Sequence, residues 1–253
     1  MQFFSFAVFS ANKSCTMILN GAHCLMSKLF ATETCEKFNS VPDEKVSDTV
    51  YDIEKAVPKG GRGYYIAKRT IDLVFSVLAL LICAIPMLII ALVVKIDSHG
   101  TVIYKQERLG KGGRSFVMYK FRTMNMNAED NGPQWADTND KRCTKVGSVL
   151  RRCRLDELPQ LFNIIKGDMS FVGPRPERPC FYEQFETYIH GFKNRLVVKP
   201  GLTGLAQVNG GYDLKPEEKI VYDIEYIKKR SIGMDLKLIF KTFIVIFTRK
   251  GAR

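Results

Sequence analysis

From Leu73 to Val94 the chain runs for 22 residues, LVFSVLALLICAIPMLIIALVV, without a charge. At about 1.5 Å per residue this makes roughly 33 Å of helix, enough to cross a hydrocarbon core about 30 Å thick. A buried globular helix is the alternative. Pro86 divides the run into arms of thirteen and eight residues, each too short to span alone. Proline removes an intrahelical hydrogen bond and clashes with the preceding turn, so a kink is expected near Ile85-Pro86. Basic residues flank both ends, Arg62, Lys68 and Arg69 before and Lys95, Lys105 and Arg108 after. The positive-inside preference places both ends on the cytoplasmic side, which a straight span forbids. A re-entrant hairpin bent at Pro86 and dipping into one leaflet satisfies both observations; a proline-containing spanning helix is the competing reading.

At 253 residues the chain can bury a substantial core in one domain. The formal charge is +12, and its placement is informative. Residues 1–67 hold seven Lys/Arg and seven Asp/Glu, so the whole basic excess lies from Lys68 onward. Phosphate-rich ligands, an anionic membrane and nucleic acid all suit such a surface. The seven cysteines form no C-x-x-C pair and no zinc-like spacing with histidine, which fits reduced thiols in a cytosolic compartment. Residues 1–67 read as a variable, poorly ordered leader; MQFFSFAVFSANK lacks the basic start of a signal peptide.

The remaining pattern predicts an α+β fold, mostly helical, with a small β-hairpin. KGGRGYY at 59–65 reads as a hinge. Two β-branched and aromatic runs, Thr101 to Tyr104 and Phe116 to Phe121, flank the turn LGKGGRS. NAEDNGPQWADTNDKR, with the chain's one tryptophan, Trp135, reads as a long loop. VGSVLRRCRLDELPQLFNIIKGDM reads as helical with Gly167 as its stop. KPGLTGLAQVNGGYD reads as a Gly-rich loop, and PEEKIVYDIEYIKKRS as a helix with an acidic start and a basic end. In the last segment Ile232, Leu236, Ile239, Phe240, Phe243 and Phe247 recur at helical spacing, so this amphipathic helix either packs on the domain or lies in the membrane interface.

Chemistry concentrates in RRCRLDELPQLFNIIKGDMSFVGPRPE. Asp156 and Glu157 follow Arg151, Arg152 and Arg154 and precede Pro159. As a cap, Asp156 would close the helix start with Pro159 in the first turn. Adjacent helical positions point about 100° apart, so the two carboxylates cannot act as a facing pair. They can hold separate tasks, one attacking phosphorus and the other helping to hold a hard divalent ion. Lys120 and Arg122 in YKFRTM fall on one face by alternation, and Pro174 and Pro176 stiffen the chain about Arg175.

In order, the apolar segment with its internal proline, KQERLGKGGRSFVMYKFRTM, LRRCRLDELPQLFNIIKGDMSFVGPRPE and KPGLTGLAQVNGG resemble the bacterial sugar transferases, the monotopic polyprenyl-phosphate glycosyl-1-phosphate transferases. The resemblance covers about Lys68 to Thr248. It implies a re-entrant helix over 68–95 broken at Pro86, and a catalytic domain over 96–253 on the cytoplasmic face of the bacterial inner membrane. It also implies transfer of a sugar-1-phosphate from a UDP-sugar to polyprenyl (undecaprenyl) phosphate with release of UMP, initiating surface glycan or exopolysaccharide assembly. Membrane lipid, and not nucleic acid, is then the partner of the basic surface. Asp156 matches the nucleophile, which would form a phosphosugar-aspartyl intermediate. Glu157 matches its partner, expected to position Mg²⁺; Lys120, Arg122, Arg151 and Arg175 match basic positions near the phosphates. Two positions depart from the pattern. Arg154 stands where a Ser or Thr is common, which leaves the capping role to Asp156, and Ile85 stands where a Ser often precedes the helix-breaking proline. The reading from another class is a non-enzymatic, membrane-tethered basic protein that binds anionic lipid or nucleic acid, with Asp156-Glu157 only a cap.

Overall fold

The computed structural model describes residues 50–130, 132 and 140–248. Residues 1–49, Trp135 with its neighbours and the last five residues lie outside this range, so the expectations placed on them are not addressed by the structure.

A single helix dominates. α1 (Arg62–Asp97) runs for 36 residues and passes through Pro86 without interruption. The arms on either side of Pro86 are thus both helical and belong to one element. Each side of the proline is packed against the body. Ala79 and Leu80 pack with Phe116, Met118, Leu161 and Ile164, while Met87, Ile90, Ala91 and Val94 pack with Phe121 and Leu150. These residues, with buried Asp72 and Ser76, recur every three or four positions and form one stripe along the helix. The stripe holds the helical path although Pro86 offers no amide to the preceding turn. The opposite face remains apolar and bare: Leu81, Ile82, Ile85 and Leu88 are each at least 70% exposed.

Both ends of α1 are fastened to the same body. Near its start, Asp72 accepts hydrogen bonds from Ser170 Oγ and Phe171 N, each at 3.1 Å. Arg69 donates to the carbonyls of Ile164 and Ile165 at 2.6 and 2.7 Å, Lys68 pairs with Asp235 at 2.9 Å, and Tyr64 donates to the same carboxylate at 3.0 Å. At the far end Arg122 donates to the carbonyls of Ser98 and His99 at 2.7 and 2.8 Å.

Part of the expected leader belongs to the fold. β1 (Tyr51–Asp52) pairs in parallel with β5 (Ile189–His190), and Ala56 is buried in the main core. Helix α1 also begins inside the expected hinge, at Arg62. The hairpin is present, with β2 (Ile103–Leu109) antiparallel to β3 (Ser115–Phe121), Ile103 opposite Phe121 and Leu109 opposite Ser115. Its first strand extends further than the β-branched run because Lys105 to Arg108 complete the ladder. The free edge of β3 is closed by Asn163, whose carboxamide accepts from Tyr119 N at 3.0 Å and donates to Val117 O at 2.7 Å.

The stretch predicted as one helix is three pieces: α2 (Lys145–Arg152), a 3-10 turn over Leu155–Glu157, and α3 (Gln160–Lys166). Arg154 separates them with φ +55°, the left-handed region that a side chain disfavours. Gly167, also left-handed at φ +96°, ends α3 as expected. After it come β4 (Ser170–Val172), α4 (Pro179–Glu186), β5, β6 (Gly201–Thr203), α5 (Leu205–Asn209), α6 (Pro216–Lys229) and α7 (Ile232–Thr248). The Gly-rich segment is thus ordered structure rather than a loop. β6 pairs in parallel with β4, Ser170 opposite Gly201 and Val172 opposite Thr203.

The main core gathers Phe181, Tyr182, Phe185, Phe192, Ile220 and Ile227 from α4, α6 and the chain between them. On α7, Leu238 is buried and Met234 and Ile239 pack on that core, whereas Leu236, Phe240 and Phe243 are exposed. The expected apolar stripe therefore divides between the body and the outer surface.

Candidate active site

A cavity of about 380 Å³ opens between the hairpin, the 3-10 turn, the segment after β4, and α5 and α6. By strand alternation and pairing, Tyr104, Gln106, Arg108, Met118 and Lys120 share one face of the hairpin, and all five line this cavity. Across from them stand Arg151, Arg154, Asp156 and Arg175. Arg151 is brought in by close packing at the start of α2. Thr144 caps that helix by accepting from Gly147 N at 2.9 Å, and Thr144 N donates to Thr123 O at 3.0 Å. A side chain at 147 would place its Cβ 2.0 Å from Thr123 O, so only glycine lets α2 approach the end of β3 this closely.

Asp156 does not cap a helix. It sits in the 3-10 turn, and the position preceding α3 is Pro159, which makes no side-chain cap bond. The left-handed turn at Arg154 starts a separate turn before α3, which moves the carboxylate off the helix start and into the cavity wall. Asp156 is buried and forms no ion pair or side-chain hydrogen bond among the described residues. Burial pushes its pKa up to about 6, with neighbouring Glu157 adding to the rise and Lys120 and Arg151 opposing it.

Glu157 points elsewhere. Arg175 forms a bidentate pair with it, one contact at 3.2 Å, and Lys120 approaches its Oε1 at 3.5 Å. Burial alone would raise its pKa; Arg175 and Lys120 outweigh that and hold the carboxyl well below the usual carboxylate range. Arg175 is itself fixed from behind. Its carbonyl accepts from Arg195 at 2.9 Å, Pro174 O accepts from Gly201 N at 2.9 Å, and Gly173 N donates to Thr203 O at 2.9 Å. Arg195 is fully buried, pairs with Asp223 at 2.6 Å and lies over the Phe192 ring at 5.0 Å.

Five of the sequence-derived residues therefore line one cavity: Lys120, Arg122, Arg151, Asp156 and Arg175. Glu157 lies behind them. The guanidinium of Arg122 is directed at the end of α1 rather than held free for an anion. Pro86 lies on α1. Sequence reasoning missed Arg154 as a lining residue, and it missed Glu177 and Lys219 altogether. In the sequence Arg108, which pairs with Glu177 at 3.1 Å, reads only as a charge flanking the apolar run. Gln207 reads only as part of the Gly-rich segment, whose irregular polar character marks a place for sugar or uridine contacts without picking out a residue.

For a divalent ion, the described residues hold no cluster of three or more His, Cys, Asp or Glu. The donor set present is Asp156 and Glu157, hard oxygen ligands of the kind Mg²⁺ uses one or two at a time together with substrate phosphates. The low pKa of Glu157 keeps it in the anionic form such an ion needs. In chemical type, therefore, the residues fit the ion.

Together these features define an α+β domain mounted on one long apolar helix, with an anion-suited cavity built around one carboxylate that has cations nearby but no direct ion pair among the described residues. The chain belongs to the bacterial sugar transferase family, whose model matches residues 63–249. It is 44% identical over 193 residues to the UDP-N-acetylgalactosamine-undecaprenyl-phosphate N-acetylgalactosaminephosphotransferase of Aeromonas hydrophila, covering 75% of this chain and 46% of that relative. It is 40% identical over 222 residues to the UDP-glucose:undecaprenyl-phosphate glucose-1-phosphate transferase of Escherichia coli (strain K12), covering 86% of this chain and 46% of that relative. A putative undecaprenyl-phosphate N-acetylgalactosaminyl 1-phosphate transferase of Bacillus subtilis (strain 168) is 48% identical over 134 residues, or 53% of this chain and 74% of that relative. The matches thus span less than half the length of the first two relatives.

Proposed function

We propose that this chain transfers a sugar-1-phosphate from a UDP-sugar to polyprenyl phosphate, with Asp156 as nucleophile. The observation that carries this reading is the isolation of Asp156. Of the carboxylates among the described residues that line the cavity, Glu129 is paired with Arg178 and Glu177 with Arg108, whereas Asp156 has no ion pair among the described residues. An Asp156 oxygen attacks the phosphorus that bears the sugar. The bond from that phosphorus to the oxygen bridging the two phosphates breaks, and UMP leaves with that oxygen and its electron pair. An oxygen of the polyprenyl phosphate then attacks the same phosphorus, forms the diphosphate linkage and releases the Asp156 carboxylate. Arg151, Arg154 and Arg175 line the path of the phosphates and offset the charge that develops there, the term that dominates phosphoryl transfer. Glu157 holds Arg175 and Lys120 in place. A bound Mg²⁺ would add charge neutralisation at the phosphates, and Glu157 would serve as its protein ligand only on giving up its contacts with Arg175 and Lys120.

The acceptor is a membrane lipid, and the bare apolar surfaces of α1 and α7 suit insertion into one leaflet. Fastening of both α1 ends to one polar body supports a monotopic arrangement, and we place the body on the cytoplasmic face of the inner membrane together with the UDP-sugar donor.

The test is UMP release by the protein in detergent given UDP-sugars, undecaprenyl phosphate and Mg²⁺. Asp156→Asn should lower turnover by about 10³-fold or more, with membrane association kept. Its melting temperature should match or exceed wild type, because the ionised, buried carboxylate it replaces is costly at neutral pH. Undiminished UMP release by Asp156→Asn would refute the assignment.

A further inference from the structure

Among the polar side chains lining the cavity, Gln207 stands apart because no described residue satisfies it. Gln207, on α5, is 6% exposed and lines the cavity, yet neither its Nε2 nor its Oε1 has a hydrogen-bond partner among the described residues. A buried carboxamide left unsatisfied on both atoms costs the free protein stability. Its position is not slack. The amide lies against the backbone of Gly204, where an added Cβ would come within 2.6 Å of Oε1. Gln207 is also neutral, so it gains little from a phosphate already served by the arginines near Asp156.

We infer that Gln207 is a specificity-determining residue that reads the neutral, hydrogen-bonding portion of the nucleotide sugar. A carboxamide presents a donor and an acceptor side by side. Its complement is an edge with an adjacent acceptor and donor, which the donor substrate offers in two places: the imide edge of uracil, and the hydroxyl or acetamido groups of the sugar. This inference rests on the proposed transferase reading and goes beyond it, because none of the phosphoryl-transfer steps needs Gln207. The same carboxamide, satisfied only when ligand is bound, converts a cost in the free protein into selectivity, since a ligand lacking the matching edge leaves it unpaired.

The experiment uses the full chain in detergent and three probes: UMP, ribose 5-phosphate and UDP-glucose. Gln207→Met, which keeps the side-chain length without the amide, should melt at or above the wild-type temperature. If the uracil edge is read, it should bind UMP about 10- to 30-fold more weakly, the equivalent of two neutral hydrogen bonds, and ribose 5-phosphate unchanged. If the sugar is read, UMP binding should hold and UDP-glucose binding should fall by a similar factor. Gln207→Glu, which sets a charge beside an anionic ligand, should lose more affinity than the methionine variant and serves as the second variant if the first does not fold. Unchanged affinity for both UMP and UDP-glucose would overturn the inference while leaving the transferase reading intact. So would a melting temperature lowered by several degrees, which marks a structural role. Wild-type protein that binds neither UMP nor UDP-glucose would overturn both.

Discussion

Asp156 and Glu157 are chemically near twins one bond apart in sequence, and the fold separates them by charge. Asp156 faces a cavity and is raised to about 6; Glu157 faces two cations and is driven the other way. In the proposed reaction Asp156 attacks as the ionised carboxylate, so single-turnover UMP release measured without acceptor should rise with pH and level off above about 6, and a rate independent of pH between 5 and 8 would contradict the assignment. Omitting the acceptor matters, because a phosphate monoester titrates in the same range. The stability signs follow from the same shifts. Protonated Asp156 is favoured in the fold, so its contribution is complete below the ordinary aspartate pKa and is lost as pH rises through about 6. Glu157 acts oppositely: its contribution is complete above the ordinary glutamate pKa and is lost progressively as pH falls below it. The sequence made the pair visible because arginines surround it. It could not show that Arg154 takes a left-handed backbone, since glycine or asparagine would be the usual choice there, and the capping reading of Asp156 failed for that reason.

At the scale of elements, the segment carrying Arg175 is held by the β4–β6 pairing and by the buried Arg195–Asp223 pair. Burial raises Asp223 to about 6, against the opposing pull of Arg195 and Lys219. Removing the arginine leaves that carboxylate uncompensated, so Arg195→Leu should cost about 3–5 kcal/mol at pH 7. The deficit should shrink at pH 5, where Asp223 can take up a proton; thermal melts at the two pH values would show this, and an equal deficit at both would refute it. Helix and strand patterns foretold α1, the hairpin, α6 and α7 from periodicity and end residues. They could not foretell what packs against α1 on either side of Pro86, because Phe116, Phe121, Leu150 and Leu161 come from distant elements. The Gly-rich segment was misread for the same reason: its glycines permit close backbone approach to the chain around β4, and composition alone does not separate that from a loop.

As a whole, the molecule joins a polar body, bound at both ends of α1, to a bare apolar surface suited to lipid. This predicts a topology. In a variant otherwise free of cysteine, residues introduced by Gly61→Cys and Lys111→Cys should react with an impermeant reagent from the same side of sealed vesicles; reaction of the two from opposite sides would exclude a monotopic helix. In the proposed reaction a monotopic body would bring a soluble donor and a lipid acceptor to one cavity, and Asp156 would let them react there in turn rather than together. Intact-protein mass spectrometry after incubation with a UDP-sugar and no acceptor examines that most directly. Nucleophilic attack by Asp156 predicts one sugar-phosphate added per chain, located on the peptide that contains Asp156, with one equivalent of UMP released and no adduct in Asp156→Asn. An enzyme that turns over with acceptor present, yet neither releases UMP nor gains mass without it, would contradict it.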